Sequence, residues 1–147
     1  MEINGCGLCG KRPGKDRDMR EILFRAKRKN NRGWICGSFV KKVSGVYIIS
    51  ESITGCIADY TEHEVDPETV CQYTGLTDKN GRKIFEGDIV KSDLDKIGKI
   101  VYNESHLAYL ILENSEMKYY YIQECDSGHI EVVGNIFDNP ELVEDNA

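Results

Sequence analysis

From Arg20 onward the chain breaks into short apolar runs, most of them rich in Val, Ile and aromatic residues, each closed by a cluster of turn formers. That punctuation constrains the fold more than any other feature. β-Branched and aromatic side chains suit a pleated surface and lose rotamer freedom in a helix. Ile22, Phe24 and Ala26 alternate with Glu21, Arg25 and Lys27, which predicts a half-buried strand. Lys29-Asn30-Asn31-Arg32-Gly33 predicts a turn, Trp34 to Val43 a second strand, and Ser44-Gly45 another turn. Val46 to Ser50 and, after a short break, Ile53 to Tyr60 read as two further strands. The one helical signal is Asp66 before Pro67, a cap followed by a residue suited to the first helical position, and it predicts a single turn.

In the second half, Asp78-Lys79-Asn80-Gly81 predicts a tight turn with positive φ at Asn80 and Gly81. Ile89-Val90, Ile97 to Tyr102, Leu107 to Leu112, Lys118 to Ile122 and His129 to Phe137 follow as apolar segments between turn clusters. Strands at this spacing favour a barrel or sandwich over crossover helices. The expected class is mostly β. Residues 1–18 have neither period and read as a poorly ordered extension; 19–66 read as an N-terminal β region, 67–138 as a second β body, and 139–147 as an acidic tail.

No apolar run approaches the roughly 18 residues of a membrane span, and the amino terminus lacks the pattern of a secretory signal, so a cytoplasmic protein is expected. Cys36, Cys56, Cys71 and Cys125 sit singly in apolar stretches and are expected to be reduced thiols that fill the core. Charge is split along the chain. Residues 1–42 carry twelve bases against four acids, +8, and residues 43–147 carry seven against twenty-one, −14. Such opposition suggests a basic arm or two surfaces that attract each other between copies.

Three stretches in order carry a resemblance. Val65-Asp66-Pro67-Glu68-Thr69-Val70-Cys71-Gln72-Tyr73-Thr74-Gly75-Leu76-Thr77-Asp78-Lys79-Asn80-Gly81-Arg82-Lys83-Ile84-Phe85-Glu86-Gly87-Asp88-Ile89-Val90 resembles the YopX family of phage and prophage proteins, and Met19 to Ala26 and Val132 to Leu142 resemble its usual start and close. The resemblance implies an SH3-like small barrel in the C-terminal half and a phage-derived gene. It implies no reaction. Turns and core residues dominate the central motif, as expected of a part that builds the fold.

The chemical candidates are few. Cys6-Gly-Leu-Cys9 has the spacing of half a zinc site without the other half, so no metal or cofactor is expected. Glu62, His63, Glu64 and Asp66 form an acidic cluster that could hold a metal or exchange protons, or simply line a solvated loop. No nucleophile motif is present, and a non-enzymatic role is expected. Arg25, Lys27, Arg28, Lys29 and Arg32 beside Trp34 would suit a phosphate backbone and a stacked base. Tyr119 and Tyr121 share a strand face and suit a protein interface. The expected function is an accessory or regulatory binding module. A protein partner or self-association comes first and nucleic acid second.

Overall fold

The pattern of alternating apolar residues is realised as antiparallel sheet in the computed structural model, which describes residues 20–113, 118–121 and 127–144. The extension 1–18 with Cys6 and Cys9, and Cys125, lie outside the described residues. The chain divides into two units at Val70 and Cys71.

In the first unit β1 (Phe24–Lys27), β2 (Trp34–Lys42), β3 (Gly45–Thr54) and β4 (Ile57–Glu64) lie in the order β4-β3-β2-β1. β2 serves two neighbours. Trp34 to Gly37 pairs with β1, and Ser38 to Lys42 pairs with β3. The handover is at Gly37, where a Cβ atom would lie 2.1 Å from the Ile49 carbonyl oxygen. Just past β4, Val65 bridges to Arg28 at the end of β1, and the Asp66 amide donates to the Lys27 carbonyl at 2.9 Å. These bonds gather Ala26, Ile48 and Val65, all fully buried, with Phe24, Ile35, Val46 and Val70 packed against them. The expected helical turn is a 3-10 turn at Pro67–Thr69, with the Asp66 carboxylate accepting from the Glu68 amide at 3.0 Å. Thr69 ties it to β1 by accepting the Lys27 amide at 2.9 Å.

The break expected after Ser50 does not occur. β3 continues to Thr54, and the reversal is at Gly55-Cys56, where Gly55 has φ +65°. β-Branched Ile53 and Thr54 carry the strand on, and the chain turns only where glycine makes a left-handed residue cheap. Pairing with β4 runs unbroken from Tyr47↔Glu64 to Thr54↔Ile57, whereas β2 reaches only to Ile49. From Ser50 outward the hairpin is therefore a two-stranded ribbon.

The second unit has β5 (Cys71–Thr77) paired with β6 (Lys83–Phe85), and a sheet of β7 (Asp88–Ser92), β8 (Ile97–Asn103), β9 (Ala108–Glu113), β10 (Lys118–Tyr121) and β11 (Ile130–Asn135) in the order β10-β9-β8-β7-β11. Ile84, Val90, Ile100, Ile111, Ile130 and Val132 form its core. The central motif builds this unit. Thr74 donates its hydroxyl to the Ile84 carbonyl at 2.8 Å, and the buried Asp88 carboxylate accepts the Phe85 amide at 2.8 Å. Of the expected pair Asn80-Gly81, only Gly81 takes positive φ (+81°). The reason is Asp78, whose side chain accepts from the Asn80 and Arg82 amides and shapes a longer loop than a two-residue hairpin. At the carboxy terminus the expected acidic tail contains a short helix, α1 (Glu141–Glu144), against β8.

Two of the expected core thiols are corrected. Cys71 is buried, but Cys36 and Cys56 are exposed, one on β2 and one at the ribbon turn. Among the described residues, no helix is long and apolar enough to cross a membrane.

Candidate functional site

The nominated basic hairpin is real, but its charges are largely committed. Arg25 is only 8% exposed, and its guanidinium lies 4.8 Å from the centroid of the Trp34 ring. Lys27 places its ammonium 5.4 Å from the same ring, so the indole carries two cations of its own chain. At the turn, Arg28 donates its amide to the Gly33 carbonyl, and Arg32 adopts φ +60°. Lys29 pairs with Glu64 at 3.2 Å and Arg32 with Asp66 at 3.0 Å. The Arg32 hydrogen bond, followed by the Glu68 amide, holds the Asp66 carboxyl below the usual aspartate range.

The acidic cluster is thereby dispersed over separate partners. Glu62 pairs with Lys42, His63 meets the Ser50 hydroxyl at 3.1 Å, Glu64 goes to Lys29 and Asp66 to Arg32. Among the described residues, no three His, Cys, Asp or Glu side chains converge as a metal site would require. These same pairs set bases of the first unit against its own acids. Residues 20–70 carry eight bases and seven acids, a net +1, because β4 returns its acids to the bases of β1 and β2. Residues 71–147 keep seven bases against fifteen acids, −8.

Of the nominated tyrosines, the backbones of Tyr119 and Tyr121 pair with Leu112 and Leu110, while their side chains lie outside the described residues. Tyr120, which the pattern does not nominate, lines a cavity of about 290 Å³ on the C-terminal sheet. Its walls include Val90, Ile97, Ile111 and Ile130, and Leu94 stands at its rim, 79% exposed. Gly98 lines it too; a Cβ there would lie 2.7 Å from the Ile111 side chain. Three of the polar residues at the cavity, Ser92, Lys96 and Glu113, are engaged. Ser92 accepts the Leu94 and Lys96 amides, each at 3.2 Å, and the buried Glu113 carboxylate pairs with Lys96 at 3.3 Å. Sequence reasoning misses this cavity because β7, β8, β9, β10 and β11 each supply a piece of it. Next to it, His129 sits 2.6 Å from Asp93, and that hydrogen bond holds the Asp93 carboxyl below its usual range, assisted by Lys79.

A family model described as YopX protein matches residues 23–144. The crystal structure of protein EF1440 from Enterococcus faecalis is similar at a TM-score of 0.55 and 21% identity, covering 85% of this chain and 99% of that one, and it supports the fold alone. No curated protein matches.

Proposed function

This chain belongs to the YopX family, and from that premise we propose that it is a non-enzymatic accessory module of phage or prophage origin that binds a protein partner at the cavity of its C-terminal sheet. The observation that carries this reading is the lining: apolar walls, an exposed Leu94 at the rim, and Ser92, Lys96 and Glu113 already bonded within the chain. A site for chemistry needs polar side chains held ready for a substrate. A site for an apolar anchor needs what is found here. The order β10-β9-β8-β7-β11, with a 3-10 turn at Ser127–His129 leading into the last strand, supports reading this unit as an SH3-like small barrel. A cytoplasmic setting goes with this reading.

Nucleic acid is the weaker alternative. Lys29 and Arg32 are ion-paired, and Trp34 is covered by Arg25 and Lys27, which leaves the hairpin less to offer a phosphate or a base.

The test is a titration of isotope-labelled protein with short polar peptides carrying one aliphatic or aromatic side chain. Amide shifts are expected at Gly98, Ile111 and Ile130. Leu94→Ser should weaken binding about fivefold, since losing roughly 1 kcal/mol of partly buried leucine contact changes affinity by that factor. Shifts scattered away from this cavity, or binding indifferent to Leu94→Ser, would refute the assignment.

A further inference from the structure

The ribbon of β3 and β4 points to a second surface, independent of the cavity. β4 is the last strand of its sheet. The Val65 amide donates to the Val46 carbonyl on the β3 side, while the Glu64 carbonyl faces away and accepts the Lys29 amide at 3.0 Å. Backbone directions alternate along a strand, so Ala58, Tyr60 and Glu62 also turn their N–H and C=O groups away from β3. Among the described residues no strand lies beyond them.

Exposed edges are ordinarily guarded by lysine, proline or a bulge. β4 has none of these. Ile57–Glu64 contains no Lys, Pro or Gly, and its register with β3 is unbroken. Acids could serve as guards, but Glu62 and Glu64 are neutralised by Lys42 and Lys29. A two-stranded ribbon is marginal by itself in water. This one nevertheless exposes Ile53 (49%), Ile57 (66%) and Tyr60 (64%).

We propose that β4 is a self-association edge, pairing antiparallel with β4 of a second copy about a two-fold axis at Thr61. That register lets the outward-facing Tyr60 exchange both backbone hydrogen bonds with Glu62 of the other copy, and the pair repeats by symmetry. The ladder ends at Asp59 and His63, because Lys29 and Arg28 already cover the outer sides of Glu64 and Val65. It sets Thr61 against Thr61, a favourable cross-strand pair, and Asp59 against His63 of the second copy, a carboxylate acceptor beside a ring that can donate a hydrogen bond. An axis at Asp59 would set two carboxylates face to face. The attraction lies in the backbone ladder, whereas Lys42 and Lys29 are already paired with Glu62 and Glu64 within one chain.

Light scattering of the full chain at about 50 μM should show a dimer that persists in molar salt, because backbone pairing is screened far less than surface charge. Thr61→Lys puts two ammonium groups on the axis and should raise the dimer dissociation constant at least tenfold while leaving the melting temperature of the monomer in place. Thr61→Cys tests the register. A non-hydrogen-bonded pair brings Cα atoms to about 4.5 Å, within disulfide reach, so mild oxidation should give a covalent dimer linked at position 61 by peptide mapping. A monomer at this concentration, a dimer untouched by Thr61→Lys, or a cross-link confined to the native cysteines would overturn the proposal. So would a monomer whose Ala58, Tyr60 and Glu62 amides resist hydrogen exchange, since the chain itself would then cover the edge.

Discussion

Replacing Gly37 by alanine should lower the unfolding free energy by about 3 kcal/mol, enough to move the melting temperature by on the order of 10 °C. The added methyl would lie 2.1 Å from the Ile49 carbonyl oxygen and 2.8 Å from its carbon, both backbone atoms that cannot swing aside as a side chain would. β2 changes partners at this residue, so relief requires parting β2 from β3 at the first rung of their ladder, Ser38↔Ile49. Ile48 stands next to that rung, fully buried in the core of the first unit, and its γ-methyl would itself be 3.1 Å from the new carbon. Gly55→Ala is the comparison. Gly55 sits in the left-handed region at φ +65° with no atom within 4 Å of a Cβ, so its substitution should cost only about 1 kcal/mol of backbone strain. Urea unfolding of both variants checks this. Equal losses would mean that β2 and β3 are not locked together at Gly37.

These two glycines show how much of the fold could be read from the sequence. Local signals were legible. The strand around Phe24 and Ala26, the cap at Asp66 with Pro67, and the left-handed residue at Gly81 depend on a few adjacent residues, and each is found in the structure. Register was not legible. Gly37 sits inside an apolar run and looks like any strand glycine, since only the neighbouring Ile49 carbonyl forbids a side chain there. The ribbon was missed for the same reason. Glu51 and Ser52 look like a break until their partners Tyr60 and Asp59 are known.

Ion pairing was hidden in a related way. Counting charge along the chain shows a split but no contacts, whereas β4 brings Glu62 and Glu64 back to Lys42 and Lys29 from 20 and 35 positions away. Arg25 likewise falls on the outward phase of its strand and is nevertheless buried, because an arginine stem and a flat guanidinium can cover an indole. The candidate cavity was the least legible feature. Leu94, Glu113 and Tyr120 have no common motif, and they meet only because the sheet order places β7, β8, β9 and β10 side by side. A site assembled from single residues on many strands leaves no local pattern.

Asp78→Ala should be the most damaging substitution in the central motif, costing about 4 kcal/mol. One carboxylate oxygen accepts the Asn80 and Arg82 amides, each at 2.9 Å, and the other accepts the Val132 amide at 2.9 Å from 54 positions away. The side chain therefore ties the loop between β5 and β6 to β11, and residue 78 is only 5% exposed. Alanine would leave these donors without their acceptor, at roughly 1–3 kcal/mol for each buried group and less than additively. Asp78→Asn keeps one acceptor oxygen but loses the charge, and should cost about 2 kcal/mol. The same geometry sets a pH dependence. Burial by itself would raise the Asp78 carboxyl, but the Val132, Arg82 and Asn80 amides, with the Arg82 charge, outweigh it and hold the group below its ordinary value of 3.8. A carboxyl with a lowered folded pKa binds fewer protons folded than unfolded, so its contribution is complete above the unfolded value and fades as pH falls through the folded one. Urea unfolding of the wild type should therefore weaken with acid below about pH 4 more steeply than that of Asp78→Asn, which has no proton to take up at this position. Identical acid slopes for the two proteins would mean that the Asp78 carboxylate is not what clamps the loop to β11.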